Sequence, residues 1–574
     1  MVILRSIRRI WSITLTTYLN MKLPILLRCC FLICLCFLFT ACKKSPEPAA
    51  KPSTPVFDPS SLNISKSPIT SYRLDVKLDN ILVAAADITW SSSDIRIATV
   101  NSQGFVTALA AGKTDITATL LNGKGSAICK ITVIDTNSYK FRIVLKDKGT
   151  SGFSISNPSQ FLSAKAIARR QKRNIAIDDK DLPISADYIK AIQKVGGVIV
   201  AKSKWLGTVS VYCDDELLAY EYKKLPFVKD VFEVWQGKKV TQIPQPGSND
   251  IIQKTGTSSA TATRNAAYYG ASWLDISMSN GQVLHQNGYE GAGIDIAVID
   301  AGFKGLNTNS TFNNTSIKGA KSFVYENADP FAIDSHGVWV TSCMGVDQPG
   351  NYVGTAPAAN YWLLRTEDES SEFPIEEDYW ASAIEYADSL GVDMVNTSLT
   401  YTYHDGPTDN YTYQSMDGKT AVASRAADIA VDKGIFIVCC AGNEQSWVGA
   451  PADAPGVLTV GSVNKTGTVD FFSSFGITVD GRVKPDVMAL GGGAGVIDID
   501  GKSMVRSGTS YASPIMCGLA ACLWQAYPKL TNKDLLDVIR KSADRFDSPV
   551  MPYGYGKVDM QKAMLLAKTV SDLK

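Results

Sequence analysis

The alternation of apolar and polar positions changes character several times along this 574-residue chain. Between residues 59 and 136, short β-rich runs (YRLDVKL, ILVAAADITW, TDITATL, AICKITVID) are separated by Gly, Asn and Ser turns at sandwich-like spacing, which predicts an all-β module. Over residues 139–240 the order becomes strand (KFRIVLK), basic stretch (AKAIARRQKR), helix (ISADYIKAIQKV), two strands (GVIVAKS, GTVSVYC), helix (DDELLAYEYKK) and strand (FVKDVFEV), a small α+β sandwich. Residues 241–265 are polar and rich in Gly, Ser and Thr, as a cleavable linker should be. From residue 266 to 574, buried apolar runs (GIDIAVIDAG, YWLLRTE, VDMVNTSL, GIFIVCCAGN, GVLTVGSVN) alternate with helical patterns, predicting an α/β domain with a mainly parallel sheet.

In such sheets chemistry gathers at the carboxyl ends of the strands. Asp300 ends one apolar run, Ser398 follows another and Asn443 a third. His336 opens a helical stretch, and Ser510 stands after Gly508 near the start of another helix, with Pro514 expected in its first turn. Taken singly, each has a plain structural use: an Asp at a turn, an Asn holding a loop, a Ser capping a helix.

Composition narrows the choices. The chain is 45% hydrophobic and 20% charged, enough to bury large cores. Lys+Arg 57 against Asp+Glu 56 gives a net charge of +1, which supplies no field for nucleic acid, and no nucleic-acid partner is expected. Only three histidines are present, which excludes a histidine-rich metal site, and no metal site is assigned. Of the twelve cysteines, those beyond Cys42 read as small core residues. The basic run Arg169, Arg170, Lys172 and Arg173 reads as a solvated face.

The N-terminus is an address. From Met21, a basic start leads into an apolar stretch of about a dozen residues, shorter than the ~20 a spanning helix needs, so residues 1–42 read as an export signal. The string FTAC resembles a bacterial lipoprotein cleavage site, which implies lipidation of Cys42, membrane attachment and a place in the cell envelope, at the outer membrane or outside the cell after processing. Residues 43–58, rich in Pro, Ala and Lys, read as a tether.

Taken together, DAG with Asp300, HG with His336, SL with Ser398 and Leu399, AGN with Asn443 and GTSxAxP with Ser510 resemble the subtilase family of serine proteases, in its Asp, His, Ser chain order. The resemblance implies a subtilisin-like peptidase domain over 266–574 in which Ser510 is nucleophile, His336 general base, Asp300 its orienting partner and Asn443 an oxyanion-hole donor. It implies substrate-binding walls at Ser398, Leu399 and Thr400 and at Cys440, Ala441 and Gly442, polypeptide substrates and no required cofactor. Structural calcium, common in the family, is compatible but unplaced. Thr400 stands where Gly usually follows SL, and Val338 and Tyr511 depart from the usual Thr and Met. The string ITWSSSDIRIATVNSQGFVTALAAGKTDITATL resembles the group 2 bacterial Ig-like domain, with Trp90 in its core, and 139–240 resembles a subtilase prodomain, an intramolecular inhibitor until cut away between about Gln242 and Arg264. The whole reads as an exported, membrane-anchored serine endopeptidase made as a zymogen. The alternative is a catalytically silent surface-binding or adhesion protein on the same scaffold.

Overall fold

The computed structural model describes residues 54–574 apart from 58–59, 80, 124, 135–136, 239–262, 325–327 and 406–409. The leader, Cys42 and most of the 241–265 linker therefore lie outside the described residues. Among the described residues, no helix is long and apolar enough to cross a membrane.

The first module is built on two small antiparallel-rich sheets, together with a third of the short strands Val56–Phe57, Val76–Leu78 and Ile81–Leu82. One contains Ser126–Ile134 between Ser61–Ser65 and Gly112–Leu120, with Ile88–Ser92 outermost; the other joins Ser67–Arg73, Phe105–Ala108 and Ala98–Val100. Alternate residues point inward, so Ile116, Ala118, Cys129, Ile131 and Val133 form the core with Val106. Trp90 packs at its margin, its ring 5.9 Å from that of Phe57.

The α+β module follows as expected. Its antiparallel sheet runs Val198–Ser203, Thr208–Cys213, Asn137–Leu145, Val228–Lys238, with helices Ala186–Val195 and Leu218–Lys223 covering one face through Ile192 and Tyr222. The other face meets the third module.

The main sheet of that third module has eight strands: β1 (Asp295–Asp300), β2 (Ser316–Ser322), β3 (Asn360–Arg365), β4 (Met394–Thr397), β5 (Phe436–Cys440), β6 (Leu458–Asn464), β7 (Val487–Ile497) and β8 (Ser503–Ser507). Their order is β2-β3-β1-β4-β5-β6-β7-β8, all parallel except β8. The strands are apolar on both faces because helices cover both, which is why they read as continuous hydrophobic runs. The chain builds outward from β1 to β2 and β3, then returns to β1's other side as β4. This reversal opens a crevice beyond the carboxyl ends of β1 and β4, where Asp300 and Ser398 sit. Three helices matter below: α1 (His336–Gly345), α2 (Ile375–Leu390) and α3 (Thr509–Ala526).

Helix α2 is the floor on which the α+β sheet rests. Ile375 and Tyr379 pack with Ala201, Val234 and Trp235, and the acids of α2 meet partners from the sheet. Arg142 donates to Asp378 at 2.7 and 2.9 Å, and Glu385 accepts the backbone N–H groups of Lys204 and Trp205 at 2.9 and 3.0 Å. Asp388 takes both Arg169 and Arg170, and Asp181 bonds Arg170 at 3.0 Å and Lys433 at 2.8 Å. The basic run is thus a solvated face only at Lys172, which is exposed: Arg169 is 5% and Arg170 1% exposed, and Arg173 is half-buried. Buried guanidinium groups are stable only when paired, and Asp388, the acid that pairs both, lies on another module, some 218 residues from Arg170.

Candidate active site

Asp300 is the last residue of β1, flanked by β3 and β4 and fully buried. Its Oδ1 accepts the Ala301 N–H at 2.9 Å and the His336 Nδ1–H at 2.7 Å. An ionised carboxylate offers only acceptors, so Nδ1 carries a proton and Nε2 is left as the basic nitrogen. Asp300 Oδ2 has no partner among the described residues. His336 begins α1, and Gly337 lets the helix start press on the Asp300 loop: a Cβ there would lie 2.4 Å from Gly302 O and 2.6 Å from the Phe303 ring. Burial opposes charging of the imidazole, but the Asp300 carboxylate outweighs it and raises His336 to about 9. The rings of Tyr511 and Trp339 flank it at 6.1 and 6.3 Å.

Ser510 is the second residue of α3, after Gly508 as expected. Pro514 lies beyond the first turn, contrary to the sequence expectation. Having no N–H, it leaves the Ser510 carbonyl without its helical donor. Ser398 supplies the missing bond: its Oγ donates to Ser510 O at 2.9 Å, and Asn396 Nδ2 donates to Ser398 Oγ at 3.2 Å while Ser513 Oγ donates to Asn396 Oδ1 at 2.8 Å. All four side chains are buried, so a closed polar chain locks the end of β4 to the helix that carries Ser510. In return Ser510 Oγ donates to Ser398 O at 3.4 Å. The structure joins Asp300 to His336, and Ser510 to Ser398; it does not join Ser510 Oγ to His336.

Asn443 lies three residues past Cys440, the end of β5, and is exposed. Thr509 fixes it, donating both its N–H and its Oγ1–H to Asn443 Oδ1 at 2.9 Å, while Thr509 Oγ1 accepts the Gly442 N–H at 3.2 Å. A backbone N–H can only donate, so the atom facing Thr509 is the amide oxygen and Nδ2 faces outward as a donor. Gly442 has φ +101, and a Cβ there would meet Glu444 Oε2 at 2.4 Å and Thr400 Oγ1 at 3.3 Å. Thr400 and the Cys440–Gly442 segment are therefore opposed closely, as the sequence suggested. Cys440 and Ala441 are buried, and Leu399 is half-buried beside the Trp380 core.

Sequence reasoning passed over three features: the linking roles of Asn396 and Ser513, Thr509 as the clamp on Asn443, and an acidic groove. A cavity of about 520 Å³ runs from His336 and Ser398–Thr400 to Glu367, Glu372 and Glu376. A signal existed, since RTEDESSEFPIEED has no basic residue after Arg365. A larger cavity of about 660 Å³ lies between the α+β sheet and α2, away from these groups. The three glutamates are the one cluster of metal-ligating acids among the described residues, with oxygens within 4.8 Å of one another. They do not fit calcium. Glu367 Oε1 accepts the hydroxyls of Tyr401 (2.6 Å) and Thr366 (3.1 Å), and Glu376 Oε1 accepts Asp368 N–H (2.8 Å); donors aimed at these oxygens oppose a cage of six to eight oxygen ligands.

Comparison with known proteins finds similarity in all three modules. The subtilase family matches residues 291–557, the Bacteroidota peptidase S8 propeptide domain 140–250, and the group 2 bacterial Ig-like domain 70–131. Subtilisin NAT of Bacillus subtilis subsp. natto is 30% identical over 295 residues, covering 50% of this chain and 70% of that protein. Subtilisin of Bacillus pumilus is 30% identical over 295 residues, 50% of this chain and 97% of that protein. The crystal structure of fervidolysin from Fervidobacterium pennivorans aligns with 75% of this chain and 61% of its own at 19% identity, TM-score 0.49.

Proposed function

Since the chain belongs to the subtilase family of serine peptidases, we propose that it is an exported, membrane-anchored endopeptidase in which Ser510, His336 and Asp300 act as a triad. The 2.7 Å contact between Asp300 and His336, with His336 lining the same groove as Ser398, whose hydroxyl holds the Ser510 carbonyl, is the observation that supports this most. A hydroxyl is a weak nucleophile near neutral pH, so Ser510 needs a base. In the reaction Ser510 Oγ leaves the Ser398 carbonyl, gives its proton to His336 Nε2 and attacks the substrate carbonyl. The peptide C–N bond breaks as His336 returns that proton to the leaving amine; water then hydrolyses the acyl-enzyme by the same route. Asp300 stays ionised throughout and stabilises the imidazolium. Negative charge on the carbonyl oxygen meets Asn443 Nδ2, held in place by Thr509, and a backbone N–H at Ser510. Every step uses this chain's own residues and needs no cofactor.

The pocket between Ser398–Thr400 and Cys440–Gly442 takes the side chain at the scissile residue. Because Thr400 leans toward Gly442, the reading favours small side chains there over Phe or Tyr. The α+β module, whose sequence matches a propeptide domain, acts as intramolecular inhibitor, with processing between about Gln242 and Arg264. Lipidated Cys42 and the Ig-like module hold the assembly at the envelope until that cut.

The test is a fluorophosphonate probe on the full chain beside Ser510→Ala, read by intact mass, together with hydrolysis of a mixed peptide library. A Ser510-dependent adduct, and hydrolysis lowered on the order of 10⁶-fold in Ser510→Ala, is the expected result. A folded, processed chain that neither labels nor hydrolyses peptides would return the protein to the surface-binding alternative.

A further inference from the structure

Resting on that reading, we infer that the acidic wall of the groove is a subsite for a lysine or arginine side chain of the substrate, on the N-terminal side of the scissile bond. Six residues lining the cavity are acids (Asp334, Glu367, Asp368, Glu369, Glu372, Glu376), and none is Lys or Arg. The same cavity is bounded by His336 and by Ser398–Thr400, so whatever occupies it lies along the substrate path.

Glu376 is the deepest of these acids. It is 1% exposed, and although its Oε1 takes the Asp368 N–H, its Oε2 is buried and takes none. A buried carboxyl oxygen with no N–H donor among the described residues is open to one that arrives. Burial and the neighbouring charges of Glu367 and Glu372 push Glu376 up to about 11, and burial lifts Glu367 to about 8, so both carboxyls hold their protons near neutral pH until a cation comes beside them, and Glu376 shares a hydrogen bond with Glu372. The cluster is crowded with acid and short of positive charge. The prodomain's Lys140 feels the charges of Asp368 and Glu376, with its Nζ over the rings of Trp235 (4.4 Å) and Tyr379 (5.5 Å), but Lys140 is absent from the groove lining.

An ammonium or guanidinium brings what the site lacks: several N–H donors and a full positive charge, on a stem long enough to reach from an extended backbone. Glu372, on the exposed rim, meets such a group first, and Glu376 completes its coordination inside. A bare metal ion fits poorly, because Glu367 and Glu376 already accept protein N–H and O–H groups. The chain itself carries a matching segment. Trp235 packs on Phe373, beside Glu372, with ring centroids 6.4 Å apart; three residues later the strand ends at Lys238, and the sequence continues with Lys239.

The experiment uses the full chain, active-site-titrated with the fluorophosphonate, and matched peptides with Lys, Arg, Gln or Ala at each position N-terminal to one scissile bond. The expected result is a kcat/KM at least about tenfold higher for Lys or Arg than for Gln at one of those positions, expressed mainly in KM. That ratio should fall to within about twofold in Glu372→Gln and in Glu376→Gln, with Glu372→Gln, on the rim, serving if Glu376→Gln fails to fold. Peptides cleaved with no basic preference overturn the subsite and leave the peptidase standing; no peptide cleaved at all overturns the peptidase. Calorimetric titration with calcium that binds the native chain but not Glu372→Gln, alongside an absent basic preference, assigns the cluster to a metal ion and overturns the proposal.

Discussion

The peptidase domain presents acids on two faces, and only one face is answered. On the prodomain side Asp378 meets Arg142, Asp388 meets Arg169 and Arg170, and Glu385 takes two backbone N–H groups. In the groove, Glu367, Glu372 and Glu376 stand within 4.8 Å of one another and no basic residue lines the cavity. Acids matched one by one within the chain hold a docked surface in register, since breaking one pair strands the other charge. Acids left crowded beside catalytic groups are held ready for something the chain does not keep there.

The strongest challenge to this contrast is Asp388→Ala. It leaves Arg169 and Arg170 short of their shared carboxylate, and prodomain attachment should weaken by about 3–5 kcal/mol, seen as loss of the co-purifying prodomain and faster onset of activity. An unchanged association would mean that the paired face does no docking. Next comes Asn443→Ala, which touches neither set of acids: kcat should fall by about 10²–10³ while KM for basic and neutral peptides stays level. A selective effect on basic peptides would blur the line between groove acids and oxyanion hole. The pH profile follows. Catalysis needs the neutral His336 ring, and Asp300 raises that ring to about 9, so kcat/KM for a neutral peptide should rise about tenfold per pH unit through neutrality and level off near pH 9. A plateau already reached at pH 6 would show that Asp300 does not govern the ring. The smallest effect belongs to Lys165, whose pairs with Asp295 (2.8 Å) and Asp393 (2.7 Å) sit at a rim where its side chain is 40% exposed. Lys165→Ala should loosen the prodomain by less than about 1 kcal/mol, and less still at high salt.

How much of this the sequence disclosed follows from how local each signal is. Asp300, Ser398 and Asn443 were legible because an apolar run stops at, or a residue or two before, each of them, and strand ends of a parallel sheet are where polar residues gather. The element order of the prodomain was legible for the same reason. The fate of Arg169 and Arg170 was not: a basic helix looks solvated until the acids that bury it are known, and Asp388 is remote in sequence. Pro514 was misplaced by one turn, because the compensating Ser398 hydroxyl sits on a distant strand. The groove acids carried no periodicity, only an excess of charge, and their convergence depends on a loop folding back onto the start of α2.

Pro514 has a further consequence. The helix bearing Ser510 cannot complete its own backbone bonding; the Ser510 carbonyl waits for a hydroxyl delivered from just past the far end of the fourth strand. The cutting tool is therefore unfinished in any chain whose central sheet has not yet closed. A protease that must mature beside its own unfolded segments gains a safeguard from this, because a half-assembled molecule is also a blunt one.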